Sequence, residues 1–234
     1  MINSAQLEQQ TGLLIATIDA MQPTQVGEPS LLPNWSRGHV LAHIDGNARG
    51  LARLVRWALD GIRRDMYISP AVREGDIQLH AGRSLGQHQL AITQSARQFA
   101  DEYALLSTEQ LENEIELRNG RVVKARSLLK LRLQEVAIHH LDLNLAATFG
   151  PEQWPAAMVE QLLPEVVRDF QVRAELPIGW IDIAGGTRYE IDPGLKIGVS
   201  GSATGVLAWL LGRSSGSDLG LTGAAALPPV PSWR

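Results

Sequence analysis

The sequence predicts a mainly α-helical protein that finishes in a small α+β part. Two observations carry this. Up to about residue 147 the apolar residues recur at helical spacing in long stretches, broken by Pro and Gly. After Phe149-Gly150-Pro151 the character changes, and from Ile178 onward short β-type runs replace the long periodic ones. The expected organisation is a helical domain over 1–150 and a small α+β domain over 151–234, a comfortable division of 234 residues.

Leu7, Leu13, Leu14, Ile18 and Met21 place a first amphipathic helix over 4–21, stopped by Pro23. Pro33-Asn34-Trp35-Ser36 reads as a loop ending in the N-cap Ser36. A second helix then runs from Arg37 to Leu59 and ends before Asp60-Gly61, with Val40, Ile44, Ala48, Leu51 and Val55 as its apolar stripe. The polar stretch 60–83 reads as a loop, and a third helix spans 84–106. Residues 114–123 alternate around Asn119-Gly120, the signal of a two-residue hairpin. Ser127 is expected to cap a fourth long helix, 128–147. Four long helices with one hairpin insertion suggest an up-and-down bundle.

Beyond residue 151, a helix over 155–173 contains Pro164, which should bend or interrupt it. Strands follow at 180–183, 188–191 and 195–199, then a short helix over 202–211 and a Gly/Ser-rich turn.

A formal charge of −4 argues against a nucleic-acid partner or an anionic membrane surface. There is no secretory start and no membrane-length apolar run, so the expected location is cytoplasmic. The chain lacks cysteine entirely, so thiol chemistry would need a thiol from outside.

Chemistry concentrates in a few residues. Glu135 and His139 stand four apart and share one helix face. With His43 from another helix they could form a two-His, one-carboxylate metal site, which leaves a coordination position open. The plain alternatives are a solvated i,i+4 contact for Glu135 and His139 and a core histidine for His43. His39 and His140 read as capping, supporting or surface groups, and Asp142 as either an orienting partner for an imidazole or an exposed helix residue.

The run Trp35-Ser36-Arg37-Gly38-His39-Val40-Leu41-Ala42-His43 resembles the first signature of the thiol-dependent maleylpyruvate isomerase family, whose N-terminal half is a DinB-like four-helix bundle. Glu135-Val136-Ala137-Ile138-His139-His140-Leu141-Asp142 resembles the second. Met66-Tyr67-Ile68-Ser69-Pro70 with Arg73, and Gly201-Ser202-Ala203-Thr204-Gly205 with Gly212-Arg213, are similar to two further stretches. The resemblance implies His43, Glu135 and His139 as Zn²⁺ ligands, and Arg73 and Arg213 as catalytic residues that hold a dicarboxylate substrate. It implies mycothiol, or another small thiol such as glutathione or ergothioneine, as cofactor. His140 and Asn144 depart from the small residues expected there, which leaves the thiol open. The implied activity is cis–trans isomerisation of maleylpyruvate to fumarylpyruvate by reversible conjugate addition of a metal-activated thiolate. The alternative is a zinc-dependent thiol S-transferase acting on other electrophiles. A zinc hydrolase and a non-enzymatic carrier are weaker readings.

Overall fold

The structure is a computed structural model and describes residues 2–145 and 148–233. The chain forms two compact units, Met1–Phe149 and Gly150–Arg234.

The first unit is built on four long helices: α1 (Ser4–Ala20), α2 (Arg37–Asp60), α4 (Leu85–Ala104) and α5 (Ser127–Asp142). A shorter α3 (Pro70–Ala81) lies between α2 and α4 in sequence and packs on α2. Both α1 and α2 pack against α4 and α5, which puts α1 and α2 on opposite corners of the bundle. A simple up-and-down order would instead make α1 and α2 neighbours. The long connections, residues 21–36 and 105–126, allow the crossing. Leu14, Ile18, Leu41, Ile44, Leu51, Ile92, Phe99 and Leu133 fill the shared core.

Local chemistry explains the boundaries. Ser36 caps α2, and Gly61 ends it in a left-handed conformation, φ 73°. Helix α3 falls where the polar stretch had read as loop. Ser69 accepts from the Val72 N–H and Pro70 occupies the first turn, a strong start for a helix that buries only Ile77 and Ala81. Ser127 is not the cap of α5: the helix begins at Ser127 itself, after Arg126, with no side-chain cap. Helix α5 ends at Asp142, and the expected end at Ala147 lies outside the described residues.

The hairpin pairs β1 (Glu114–Glu116) with β2 (Val122–Lys124). Its connection is longer than Asn-Gly alone suggests. The Gly120 N–H donates to the Leu117 carbonyl and the Leu117 N–H to the Arg121 carbonyl, both at 2.9 Å, leaving Arg118, Asn119 and Gly120 as the loop. Gly120 takes φ 79°, the left-handed position that closes a three-residue loop.

In the second unit, α6 (Ala156–Arg173) packs on α7 (Ala203–Leu210). The strands β3 (Trp180–Ile183), β4 (Arg188–Glu190), β5 (Gly198–Gly201) and β6 (Gly220–Thr222) lie in the order β4-β3-β5-β6. Only β3 and β5 are parallel. Pro164 leaves α6 continuous, because the carbonyl it orphans belongs to exposed Glu160 and water can serve it. Strand β5 starts later than residue 195, since Asp192 turns the chain by accepting from the Gly194 N–H at 2.8 Å. Among the described residues no helix is long and apolar enough to cross a membrane.

Two histidines serve the first unit's core. His88 is buried on α4, and burial pushes its pKa down to about 4. His140 stacks on Phe149 at 3.7 Å and meets Thr17 Oγ1 at 2.8 Å, and burial lowers it to about 3. A depressed folded-state pKa means the unfolded chain binds protons that the native one refuses. Stability is therefore expected to fall as pH drops below about 6.5, at about 3 kcal/mol per pH unit for two such groups near pH 5. Urea unfolding at a series of pH values checks this; a flat profile between pH 6 and 4 would remove both histidines from the account.

Candidate active site

The residues around the start of α2 do not carry the chemistry themselves; they fix where α2 and α5 meet. Arg37 is buried and reaches the C-terminal end of α5, donating from Nε to the Leu143 carbonyl at 2.6 Å and from a terminal nitrogen to the Asn144 carbonyl at 3.2 Å. Its other terminal nitrogen pairs with Glu28. The Leu31 N–H donates to the Asp142 carbonyl at 2.9 Å. Unpaired carbonyls at a helix end attract a cation, so this clamp is favourable as well as geometric. Gly38 lets α3 approach, since a Cβ there would stand 2.2 Å from the Ala81 carbonyl oxygen. His39 is a cap: its Nδ1 accepts from the Ser36 N–H at 3.2 Å, and its Nε2 faces Gln78 Oε1 at 3.1 Å.

One turn further along α2 is His43. Its Nε2 lies 3.0 Å from Glu135 Oε2 and 3.1 Å from His139 Nε2, and the latter two atoms are 3.5 Å apart. Three donors converge on one point. A tetrahedral zinc with ligands at about 2.0–2.1 Å has ligand–ligand edges of about 3.3 Å, and these separations bracket that value. The donor types also fit. His139 Nδ1 is 2.7 Å from Oδ2 of the fully buried Asp142, so its Nδ1–H donates a hydrogen bond to the carboxylate and Nε2 is directed at the shared point.

The surroundings are cationic. Arg73, on α3, donates to His43 Nδ1 at 3.1 Å, and its guanidinium lies 5.7 Å from the centre of the Tyr67 ring. The buried Arg132, one turn before Glu135 on α5, donates to the Ile44 carbonyl and to Asn47 Oδ1, both at 2.9 Å. Trp35 closes the far side with its ring centre 5.7 Å from that of His43.

Titration follows from these contacts. Burial first, and then the neighbouring His139, lower His43 to about 4. Burial also works against the charged form of His139, but Asp142 and Glu135 outweigh it and hold the group up at about 9. For Glu135, burial would raise the pKa; hydrogen bonds from His139 and His43 instead keep it well below the usual carboxylate range. At neutral pH and without metal, the cluster is therefore a neutral His43, a carboxylate and a protonated His139.

Four of the five expected site residues, His43, Arg73, Glu135 and His139, gather in the first unit. Arg213 belongs to the second, just after α7. Its backbone N–H donates to the Ala208 carbonyl at 2.8 Å and its guanidinium to the Leu211 carbonyl at 2.6 Å. His140 turns toward α1, and neither it nor Asn144 lines the two hollows beside the cluster. One hollow, about 190 Å³, includes His43, Tyr67, Arg73 and His80 in its wall. The other, about 230 Å³, shares Met66–Ile68 and Arg73 with it. Arg132 was not singled out from sequence, and Tyr67 stood inside the Met66–Pro70 stretch with no role of its own. The signal for Arg132 was an arginine at the i−3 position from Glu135, on a face that has to be buried.

Residues 7–144 match the family described as the mycothiol maleylpyruvate isomerase N-terminal domain. The chain belongs to that family. Membership makes it an isomerase-family enzyme, and solved structures extend the likeness beyond the first unit. A crystal structure of the mycothiol-dependent maleylpyruvate isomerase is similar with a TM-score of 0.90 and 25% identity, covering 98% of this chain and 95% of that one. A histidine-to-alanine mutant of a mycothiol-dependent maleylpyruvate isomerase is similar with a TM-score of 0.89 and 24% identity, over the same shares. No curated protein sequence matches significantly.

Proposed function

We propose that this isomerase-family protein converts maleylpyruvate to fumarylpyruvate with Zn²⁺ and a small thiol, mycothiol being the first choice. The carrying observation is the convergence of His43 Nε2, Glu135 Oε2 and His139 Nε2 within 3.0–3.5 Å, next to a guanidinium. Zinc bound there would deprotonate the thiol, giving the nucleophile for a reversible conjugate addition that frees the alkene to rotate. A thiol of pKa about 8.5 is otherwise mostly protonated at neutral pH.

The chain's own groups do the rest. Asp142 keeps a proton on His139 Nδ1 and so presents Nε2 as a ligand. One carboxylate and two neutral imidazoles leave a dication with a net positive charge, and the buried Arg132 adds to it, so the open position favours an anion. In the metal-free arrangement, the Arg73 donation to Nδ1 of His43 leaves the imidazole proton on Nε2, pointing at Glu135. Ligation through Nε2 needs that proton on Nδ1. Two donors would then face each other, so Arg73 is released for a substrate carboxylate or for the enolate oxygen that gains charge during addition. Arg213, from the second unit, is proposed as a further carboxylate-binding cation, and the cytoplasm as the working compartment.

A thiol panel tests the reading. Zinc-loaded protein is given maleylpyruvate with mycothiol, glutathione, ergothioneine or cysteine while fumarylpyruvate is followed. Turnover with one thiol, lost in His43→Ala, is the expected result. No turnover with any thiol, together with conjugation of a generic electrophile, would replace the isomerase with the S-transferase.

A further inference from the structure

The larger hollow beside the cluster has a wall that the metal chemistry does not use. It is lined on one side by Asp65, Met66–Pro70 and Arg73, and on the other by Glu116, Leu117 and Arg118 at the tip of the β1–β2 hairpin. The hairpin is firmly seated. Ile115 is buried, Asn113 donates to the Ala58 carbonyl at 2.9 Å, and Gln110 donates to the Leu59 carbonyl at 2.8 Å. Its turn is closed by Gly120 as described above, which fixes the backbone that presents Arg118.

The charges in this wall are unevenly partnered. Both carboxylates are answered by Arg63, which reaches Glu116 at 3.1 Å and Asp65 at 3.9 Å. Arg118 makes no hydrogen bond or ion pair among the described residues, and Arg73 meets only Glu74 at 4.0 Å besides His43 and Tyr67. Two guanidiniums therefore border one hollow, Arg118 without a carboxylate partner among the described residues and Arg73 with only the long contact to Glu74. The Tyr67 hydroxyl feels both: a hydrogen bond from Arg73 and the charge of Arg118 each favour its ionised form, although burial and then Glu135 prevail and raise its pKa. The start of α3 lies in the same wall, and its dipole adds a partial positive charge. At about 230 Å³ the space is below the roughly 300 Å³ of the smallest drug-sized pockets, which suits a small acid.

We propose that this hollow is a dicarboxylate site contained within the first unit, in which Arg118 binds the carboxylate remote from the metal cluster and Arg73 the nearer end. Arg118 is then a specificity residue that distinguishes diacids from monoacids. The assignment rests on the proposed isomerase reading for its substrate class, but not for its test.

The probe is maleate, titrated calorimetrically into the full chain without thiol, with crotonate as the monocarboxylate comparison. Arg118 sits on an exposed turn, so Arg118→Gln should fold normally. The expected result is measurable maleate affinity that weakens at least tenfold in Arg118→Gln, is partly restored in Arg118→Lys, and is unaltered in Arg97→Gln, a surface arginine on α4. Crotonate should bind weakly and be indifferent to Arg118. Where the enzyme turns over maleylpyruvate, Arg118→Gln should raise KM by a similar factor. Maleate that fails to bind wild type, or binds Arg118→Gln equally well, overturns the site even if isomerisation is observed. Absence of isomerisation with every thiol, alongside Arg118-dependent maleate binding, overturns the isomerase reading and leaves the site standing.

Discussion

Replacing His43 or His139 by alanine is expected to abolish stoichiometric zinc binding and, with it, thiol-dependent turnover. Losing a supporting partner of a metal ligand commonly costs 10–100-fold in affinity, and losing one of three ligands should cost more. The geometry gives no spare donor: among the described residues, the only histidine or acidic group of three or more that could hold a metal is His43, Glu135 and His139. His43→Ala is the cleaner variant, because it leaves the contact between His139 and buried Asp142 in place. Metal analysis after dialysis should show about one zinc per chain for wild type and almost none for either variant. Circular dichroism should show the helical fold retained, since Leu41, Ile44 and Leu133 pack the core around the site independently of it. Chelator treatment of wild type should copy the variants, and added zinc should reverse only the chelator. Full metal content in His43→Ala would break the proposed ligand set.

The four bundle helices were legible because each carries an apolar stripe long enough to show its period, and because Ser36 and Gly61 mark the ends of α2. The candidate metal cluster was legible for a related reason: helical spacing of four places Glu135 and His139 on one face whatever packs against it. What depended on tertiary contact was not legible. Helix α3 has a short apolar side, and its start signal, Ser69-Pro70, sits in a polar stretch. The crossing order of the bundle depends on long connections whose path no local pattern states. Arg37 and Gly38 stood inside the first signature, but their work of clamping α5 and admitting α3 shows only when those helices are in place. The Asn-Gly dipeptide correctly marked the turn and misjudged its length, because the Leu117–Arg121 backbone bond decides where the strands stop. That one residue of difference is what places Arg118 in the loop.

Zinc binding should release about one proton at pH 7.5, and Asp142→Asn should remove most of that release while weakening the metal about 10–100-fold. The sign follows from the folded-state titrations. His43, lowered to about 4, and Glu135, held well below its ordinary range, have already lost their protons at this pH. His139, held up at about 9, has not. Its bound proton stabilises the metal-free fold fully below the ordinary value of 6.5, and that contribution is lost as pH rises through about 9. Zinc competes with the same proton, so its apparent affinity should climb about tenfold per pH unit below pH 9 and level off above. Without the Asp142 carboxylate the first of the two supports for the His139 proton goes, and the imidazole also loses its orienting partner. The two effects separate by pH. Near pH 7 the easier deprotonation partly offsets the lost orientation, whereas above pH 9 only the orientation loss remains and the variant's deficit should be largest. Calorimetric titration of zinc in two buffers of different ionisation enthalpy gives both numbers. Wild type that binds zinc at pH 7.5 with no proton released would mean that His139 is already neutral, and the support of its proton by Asp142 and Glu135 would have to be withdrawn.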